Sequence, residues 1–322
     1  MSVPPPARRG RVLRMLAALA ALGIAAAAAG CGNTTAGRPL GVGPASGLPV
    51  STRSHVVIVV IENAEYPEVI GSPSAPYINS LAGRYGLATQ SYAVTHPSLP
   101  NYLALTSGST HGIDSDCTSC SVSAANIVDQ LEAAGLTWKA YMEDLPHPCF
   151  LGASAGGYAK KHDPFAYYVD IASDRARCER IVPFSALSAD LRDGTLPAYS
   201  FITPNLCDDA HDCPLQEADR FLARTLPAVL RELGPHGFLV LTWDEGTLDV
   251  GCCGLPGAGG GRIATILAGP DVRRGARTDR PLDHYGVLAT IERALALPAL
   301  GGAADPRSGS LEQLFVRPPS LR

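Results

Sequence analysis

The feature that most constrains the fold is an unbroken β-branched run, Val-Val-Ile-Val-Val-Ile, at residues 56–61. A strand with one face in water alternates apolar and polar residues, so a run without polar positions predicts a strand buried on both faces of a parallel sheet. Further apolar runs lie at residues 87–94, 137–142, 198–203, 238–243 and 263–268. Segments with helical patterns lie at residues 75–84, 99–106, 123–134, 216–232 and 284–296. The alternation predicts an α/β fold, a doubly wound, mostly parallel sheet sandwiched by helices.

Two segments depart from this regular alternation. Residues 144–196 are rich in Pro, Tyr and Asp, and we expect an irregular insertion or cap beside the sheet there. Pro227 lies inside the helical pattern of residues 216–232. Because proline removes a backbone donor and crowds the preceding turn, it predicts a break or kink at that point.

The first 54 residues carry the pattern of an exported protein. Four arginines precede an apolar and small-residue run of 16 at residues 15–30, which is short for a membrane-spanning helix of about 20 residues. We interpret residues 1–30 as a signal peptide. The run ends in Ala-Ala-Gly-Cys, which resembles the lipobox of bacterial lipoproteins and makes Cys31 the candidate for acylation. The alternative is an ordinary secreted protein that is cleaved within the alanine run.

The segment after Cys31 favours a tethered domain. Residues 32–54 consist largely of Gly, Pro, Ser and Thr, which is typical of a flexible linker. The sequence therefore predicts a lipid-anchored stalk at residues 31–54 and a folded domain at residues 55–322. We expect an extracytoplasmic lipoprotein of a bacterial cell membrane, or a secreted protein.

The cysteines indicate disulfides. Beyond Cys31 there are eight, and an even number outside the cytosol favours disulfide pairing. Zinc is the competing interpretation, because Cys117 and Cys120 have ligand spacing, but no second such pair follows at the distance of a zinc finger. A bond between Cys207 and Cys213 would close a short loop beside a candidate site.

Charge argues against a nucleic-acid partner. Without residues 1–30 the chain carries 22 basic and 30 acidic residues, a formal charge of −8. Outside the first 14 residues no run of basic residues is present, whereas proteins that hold nucleic acid neutralise many phosphates.

Two pairs of polar residues, which we call the acidic pairs and which together hold three carboxylates and one amide, follow predicted strands directly. Glu62 and Asn63 come after residues 56–61, and Asp244 and Glu245 come after residues 238–243. Because both strand ends would face one edge of the sheet, their oxygens could hold one divalent ion, with Mg²⁺, Ca²⁺ or Mn²⁺ favoured and Zn²⁺ as a further option. Either pair alone would equally suit a solvated loop or a helix cap.

Ser98 lies where a strand ends and a helix begins. A helix N-terminus presents free N–H groups and stabilises negative charge, so it suits both a serine nucleophile and a bound anion. Serine is also a favoured N-cap, and on the residue pattern alone both interpretations stay open. The chain has no Gly-x-Ser-x-Gly motif, the usual marker of a Ser-His-Asp hydrolase.

Two histidines are candidates for the same site. His211 follows the strand predicted at residues 198–203, in the segment Asp-Asp-Ala-His-Asp, and His111 follows the helix that begins near Ser98. Either could bind a phosphate or a metal, or protonate a leaving group. Histidines on polar loops are also commonly without such a role.

Five segments taken in order resemble the phosphoesterase family that joins acid phosphatases to phospholipases C. They are VVIVVIENAEYPEVIG, HPSLPNYLALTSG, FITPNLCDDAHD, TWDEG and DHYGVLATIERAL. The resemblance runs from about Val56 to Leu300 and implies an alkaline-phosphatase-like fold. The segment Ser-Leu-Pro-Asn-Tyr resembles the acid-phosphatase branch.

The resemblance also implies roles for individual residues. Ser98 would be the nucleophile and, like Asn63, a ligand of one divalent metal ion, and His211 would assist catalysis. The implied metal ligands are Glu62, Asn63, Ser98, Asp244 and Glu245, and the implied phosphate-binding residues are Asn63, His111 and His211. Ala64 departs from relatives, which often have a polar residue after Glu-Asn.

The implied function is a metal-dependent phosphomonoesterase that acts through a phosphoserine. Its partner would be a small phosphate ester or a phospholipid headgroup. One alternative keeps the site but makes the protein a phospholipase C or phosphodiesterase. The other is a lipid-anchored, metal-stabilised binding protein without catalysis.

Overall fold

The computed structural model describes residues 53–317 and 320–321. The strands are β1 Val56–Ile61, β2 Gly86–Tyr92, β3 Trp138–Met142, β4 Ser154–Ala155, β5 Tyr158–Ala159, β6 Ile181–Pro183, β7 Tyr199–Thr203, β8 Phe238–Trp243, β9 Arg262–Ala268, β10 Arg277–Thr278 and β11 Leu282–Asp283. The helices are α1 Tyr66–Val69, α2 Pro76–Arg84, α3 Ser98–Ser107, α4 Ile127–Ala133, α5 Val169–Ala172, α6 Arg175–Cys178, α7 Ser185–Asp193, α8 Leu215–Glu232 and α9 His284–Ala294.

Most of these strands form one mixed sheet in the order β10-β2-β9-β8-β1-β7-β3-β6, with β11 also paired to β2. Strand β1 runs parallel to β7 and to β8, and β3 runs parallel to β6 and to β7. Strand β9 is reversed, because it is antiparallel to both β2 and β8. Strands β1, β2, β7 and β8 therefore end at one edge, which we call the carboxyl edge, and begin at the opposite, amino edge.

Strand β1 is central, as its uninterrupted apolar run predicts. All six of its residues are fully buried, because apolar helices cover both faces of the sheet. Helices α3, α4 and α9 pack on one face, and α2, α7 and α8 pack on the other. The predicted α/β sandwich is confirmed, and the predicted strands and helices agree with the observed ones to within a few residues.

Helix α8 corrects one detail. It runs without interruption from Leu215 to Glu232 with Pro227 inside it, so the break allowed by the sequence does not occur. Apolar residues on both sides of the proline, Leu222 and Val229 among them, are buried against the sheet. Proline removes one backbone hydrogen bond from the helix. Because both halves of the helix pack on the sheet through the same apolar face, the helix nevertheless stays continuous.

Residues 144–196 are largely irregular, as expected, but they do more than cap the sheet. Strand β6 extends the main sheet beside β3, while β4 and β5 form a small separate hairpin. Two 3-10 turns follow the hairpin, at Lys160–His162 and Pro164–Tyr167. The first of these turns carries side chains to the carboxyl edge.

The cysteines of the described domain are paired as disulfides. The pairs are Cys117 with Cys120, Cys149 with Cys178, Cys207 with Cys213, and Cys252 with Cys253. Disulfides rather than a zinc site thus account for the eight cysteines, and the short loop expected at residues 207–213 is closed.

The predicted signal peptide, Cys31 and nearly all of the predicted stalk lie outside the described residues. Within the described residues, none of the helices combines the length and the apolar character that crossing a bilayer requires.

Candidate active site

The candidate site lies at the carboxyl edge of the sheet. Strands β1 and β8 pair in register up to Ile61 opposite Trp243, so Glu62 and Asp244 emerge from the sheet side by side. The backbone N–H of Asp244 donates a 2.9 Å hydrogen bond to the Ile61 carbonyl. The fold thus brings together the two acidic pairs that follow these strands.

Ser98 lies against both acidic pairs. It is the first residue of α3 and is only 1% exposed. Its hydroxyl oxygen lies 3.1 Å from Glu62 Oε2 and 3.3 Å from Glu245 Oε1. The N-cap position is occupied by Pro97 and no side chain of the cap bonds to the helix, so the expectation that Ser98 is the N-cap is wrong by one residue. Its hydroxyl faces carboxylates and not the helix N–H groups.

Glu62 is the most densely contacted of the acids. Its Oε2 accepts from Ser98, its Oε1 accepts a short hydrogen bond from the Tyr102 hydroxyl, and His162 Nε2 lies 3.3 Å from Oε2. Burial raises the pKa of Glu62, while the neighbouring His162 acts in the opposite direction. A fully buried carboxylate needs such partners, since desolvation disfavours its charged form.

Asp244 has no comparable partners. Both of its carboxylate oxygens are buried without a hydrogen-bond donor among the described residues. Burial, together with the charges of Glu62 and Glu245, raises the pKa of Asp244 well above its ordinary range. Buried acceptors without donors are costly, and a coordinated cation is a common way to satisfy them. This observation favours a metal ion at the site.

Glu245 contacts two further polar side chains, those of Asn63 and His96. Its Oε1 accepts a 3.2 Å hydrogen bond from Asn63 Nδ2, and its Oε2 lies 2.5 Å from His96 Nδ1. Burial raises the pKa of Glu245, and the nearby His96 lowers it. Asn63 is exposed, so its amide is accessible at the mouth of the site.

A buried histidine that the sequence analysis did not select completes the inner wall. His162 stacks on the Tyr102 ring, with centroids 5.3 Å apart, and its Nδ1 lies 3.2 Å from Asp209 Oδ2. Burial lowers the pKa of His162 to about 4 and raises the pKa of Asp209 to about 7. At neutral pH this environment keeps the imidazole uncharged, which is the form that binds metal ions.

The outer wall of the site consists of His211, which the sequence predicts, and of Lys161 and Asp116, which it does not. Lys161 Nζ lies 3.0 Å from His211 Nε2 and 3.1 Å from Asp116 Oδ2. The other ring nitrogen of His211 lies 2.7 Å from Asp212 Oδ1. Since an ammonium only donates, His211 Nε2 accepts here and the ring proton faces Asp212.

Two disulfides fix the loops that carry these groups. The bond between Cys207 and Cys213 closes the loop that holds Asp209 and His211. The bond between Cys117 and Cys120 lies directly after Asp116, and Lys160 Nζ donates to a carbonyl of that loop at 3.0 Å. The polar wall is therefore built on covalently closed loops.

Lys161 and His162 belong to the segment Lys-Lys-His-Asp-Pro at residues 160–164. This segment places cationic residues next to aromatic ones. It has neither strand nor helix periodicity, however, so the sequence does not indicate that it reaches the carboxyl edge.

His111 is not part of this cluster. It bonds to Ser107 at 2.8 Å, at the end of α3 that lies about 13 Å from Ser98 along the helix. The structure thus gives no support to the phosphate-binding role predicted for His111. His284 lies beneath the site, where its Nε2 is 2.5 Å from the carbonyl oxygen of Asp244 and its ring is fully buried, so it supports the acidic pair from within the core.

Two overlapping donor sets could hold a cation. The family resemblance implies Glu62, Asn63, Ser98, Asp244 and Glu245. In the structure the Ser98 hydroxyl contacts Glu62 and Glu245, Asn63 bonds to Glu245, and the charges of the two glutamates act on Asp244. Ligand atoms of Glu62, His162 and His211 lie within 4.8 Å of one another. The carboxylates suit hard cations, whereas the imidazoles extend the range towards transition metals.

Comparison with known proteins agrees with this geometry. A family model described as the Phosphoesterase family matches residues 72–298. A phosphatidylinositol-3-phosphatase of Mycobacterium tuberculosis (strain ATCC 25618 / H37Rv) is 36% identical over 296 residues, 91% of this chain and 92% of the relative. A probable acid phosphatase of Kluyveromyces lactis is 32% identical over 257 residues, which are 76% of this chain and 58% of the fungal protein.

Solved structures support the fold. A protein in the alkaline phosphatase superfamily from Vibrio parahaemolyticus superimposes with a TM-score of 0.56 at 15% identity, covering 81% of this chain and 69% of that one. The lipoteichoic acid synthase LtaP of Listeria monocytogenes gives a TM-score of 0.57 at 10% identity, with coverages of 82% and 78%. The expected alkaline-phosphatase-like fold is confirmed.

Proposed function

Since this chain belongs to the phosphoesterase family and is a hydrolase that acts on phosphoester bonds, we propose that it is a secreted, metal-dependent phosphatase that hydrolyses phosphomonoesters through Ser98. The observation that carries the proposal is the position of Ser98. Its hydroxyl lies at a helix N-terminus, within 3.3 Å of the carboxylates of Glu62 and Glu245. The charges of these two acids act on Asp244, whose carboxylate has no hydrogen-bond donor among the described residues.

The site can bind a phosphate ester next to this hydroxyl. The first turn of α3 offers a phosphoryl anion the N–H of Ser98 and, in competition with Asp116, that of Leu99, since Pro100 has no N–H. Asn63, which is exposed, bonds to Glu245, and the ammonium of Lys161 lies beside His211, so both are candidates to contact the phosphoryl group. Phosphoryl transfer depends mainly on positioning and charge stabilisation, which such groups provide.

A divalent cation held by Glu62, Asn63, Ser98, Asp244 and Glu245 would neutralise the carboxylates and polarise the phosphoryl oxygens. In the first chemical step the Ser98 oxygen attacks phosphorus while the bond from phosphorus to the leaving oxygen breaks. Glu62, the nearer carboxylate, accepts the serine proton. The departing alkoxide takes a proton from the pair formed by Lys161 and His211, and the products are an alcohol and phosphoserine.

In the second step a water molecule attacks the phosphoserine and gives a proton to the pair formed by Lys161 and His211. The bond between phosphorus and the Ser98 oxygen breaks, the serine regains its proton from Glu62, and inorganic phosphate leaves. In-line displacement requires that the phosphoryl group bind between Ser98, at the start of α3, and His211, on the disulfide-closed loop.

The remaining parts of the proposal concern the whole chain. Residues 1–30 are proposed as a signal peptide, residues 31–54 as a stalk anchored through an acylated Cys31, and residues 55–322 as the catalytic domain. The disulfides of the domain support export, since disulfides persist in oxidising compartments. The names of the relatives, which are phosphatases, support a monoester substrate over a diester.

The test is hydrolysis of p-nitrophenyl phosphate by the purified protein, with and without a chelator. We expect Ser98→Ala to abolish turnover and chelation to do the same, while Ser107→Ala, a matched change at the other end of α3, retains the rate. Normal turnover by Ser98→Ala would refute the nucleophile. Hydrolysis of bis(p-nitrophenyl) phosphate in preference to the monoester would replace the phosphatase by a phosphodiesterase.

A further inference from the structure

The surface at the amino edge of the sheet has a charge opposite to that of the candidate site. The carboxyl edge carries the acids already described. At the amino edge the end of α2 and the end of α8 expose Arg84 and Arg231, and the turn before β10 exposes Arg273 and Arg274. Positive charge therefore predominates among these residues of the amino edge, although Glu232 and Asp271 also lie there.

Three of these arginines surround adjoining cavities. Arg84 and Arg231 line a cavity of about 350 Å³, together with Tyr77 and Tyr85. A second cavity of about 120 Å³ shares Tyr85 and adds Arg274. The volume is enough for a small polar headgroup, and tyrosine rings beside guanidinium groups are typical of surfaces that meet a membrane interface.

No carboxylate of residues 53–317 or 320–321 forms an ion pair with the guanidinium groups of Arg84, Arg231 or Arg274. Some exposed arginines are paired, as Arg175 is with Glu179 and Arg220 with Glu217, whereas Arg180, Arg277 and Arg280 also lack an ion pair among the described residues but line neither cavity. Within residues 53–317 and 320–321 no carboxylate competes for these three guanidinium groups, so each can offer its five donors to an anion.

The chain enters the domain at this same surface. The carbonyl of Arg53 packs against Gly234, three residues after Arg231, and His55 N–H bonds to the Leu233 carbonyl at 2.9 Å. The segment before Arg53, which the proposed function anchors to a bilayer through Cys31, therefore joins the domain beside the arginines. This connection favours a bilayer over a nucleic acid as the anionic partner.

We propose that the amino edge is a docking face for anionic phospholipid headgroups, with Arg84, Arg231 and Arg274 as the contacts. Each arginine near an anionic bilayer adds to the attraction, and the effect weakens within a Debye length. The docked domain has its candidate site on the far side of the sheet, about 20 Å away along β1.

This orientation, which rests on the proposed function, narrows the substrate class. A site that faces away from the docked bilayer serves water-soluble phosphomonoesters. Phosphate groups on lipids of the same bilayer are out of its reach while the face is engaged.

The docking test measures partition of the full-length protein onto vesicles of phosphatidylcholine, with and without phosphatidylglycerol. The test variant is Arg84→Gln/Arg231→Gln/Arg274→Gln. At low salt we expect each of its three substitutions to weaken binding to the anionic vesicles about five-fold. Binding to the neutral vesicles should be unchanged. The control, Arg175→Gln/Arg220→Gln/Arg307→Gln, removes the same charge from arginines that line neither cavity and should bind like the wild type.

Equal loss in the two triple variants would overturn the docking face, as would displacement of the protein from vesicles by duplex DNA at equal phosphate concentration. Partition requires no catalysis, so it is readable even if the protein hydrolyses no phosphomonoester. The orientation has its own readout. Hydrolysis of a soluble monoester should proceed at the same rate on vesicles as in solution, and inhibition by docking would show that the site faces the bilayer.

Discussion

The backbone N–H of Leu99 donates a 3.0 Å hydrogen bond to the carboxylate of Asp116, directly beside the Ser98 hydroxyl. The second oxygen of Asp116 accepts from Lys161. The acid therefore occupies two donors that a phosphoryl group at Ser98 would use. Because like charges repel, the Asp116 carboxylate competes with the substrate for the helix N-terminus.

Replacing this carboxylate by an amide should strengthen phosphate binding. Asp116→Asn keeps an acceptor for the Leu99 N–H but removes the negative charge, so we expect KM for a phosphomonoester and Ki for inorganic phosphate to fall about three- to ten-fold. Asp114→Asn, a change at an exposed acid two residues away, should alter neither constant. Weaker phosphate inhibition in Asp116→Asn would mean that the carboxylate orients Lys161 and does not compete with phosphate.

His162 should control metal affinity. It connects Glu62 and Asp209 inside the wall of the site, at 3.3 Å and 3.2 Å. Whether it is a ligand or orients Glu62, His162→Gln should weaken binding of the activating divalent ion about 10- to 100-fold. The measurement is the metal concentration for half-maximal activity, supported by calorimetric titration of the metal-free protein.

The control for that prediction is His236→Gln, because His236 lies at the amino edge and pairs with Asp271. It should leave metal affinity unchanged. If His162→Gln also retains the wild-type affinity, the carboxylates and Asn63 alone hold the ion.

The sequence predicts the sheet well because its signals are local. The run at residues 56–61 can be buried only as a central strand, and the acids at 62 and 244 follow from where two such strands end. The reversal of β9 has no local signal, because an apolar strand reads the same in either direction. Whether β9 pairs parallel or antiparallel with its neighbours depends on the chain segments that connect these strands.

The site was predictable where it follows strands and not where it follows irregular chain. Ser98, Glu62 and His211 come after strands or begin a helix, so their common edge can be inferred. Lys161 and His162 reach that edge from a 3-10 turn after a two-residue hairpin strand, and only tertiary packing decides where such a turn lies. The family resemblance implies a phosphate-binding role for His111, but the ten residues of α3 separate it from Ser98 and it bonds to Ser107 at the far end of that helix.

The metal-free protein should lose stability as pH rises from about 6.5 to 8. Burial raises the pKa of Glu143 to about 7 and that of Glu292 to about 8. The folded state therefore holds these protons where the unfolded chain has released them, and ionisation in this window favours unfolding. Below pH 6.5 His162 and His284, with pKa values lowered to about 4, oppose the trend, because the unfolded histidines take up protons.

Thermal unfolding of the chelator-treated protein between pH 6 and 8 measures this dependence. Glu292→Gln, far from the candidate ligands, should flatten the decline, because the amide cannot ionise. A melting temperature that stays constant or rises over this range in the wild type would contradict the pKa directions.

The two loop-closing disulfides at residues 207–213 and 149–178 should separate activity from stability. Loop-closure entropy predicts about 2 kcal/mol from the first, which spans 6 residues, and about 3.5 kcal/mol from the second, which spans 29. Cys207→Ser/Cys213→Ser frees the loop of Asp209 and His211, so kcat should fall about ten-fold or more with a modest drop in melting temperature. Cys149→Ser/Cys178→Ser should show the larger drop in melting temperature with kcat near wild type at a temperature where it is folded. The same kcat in both variants would mean that the short loop holds His211 in place without its disulfide.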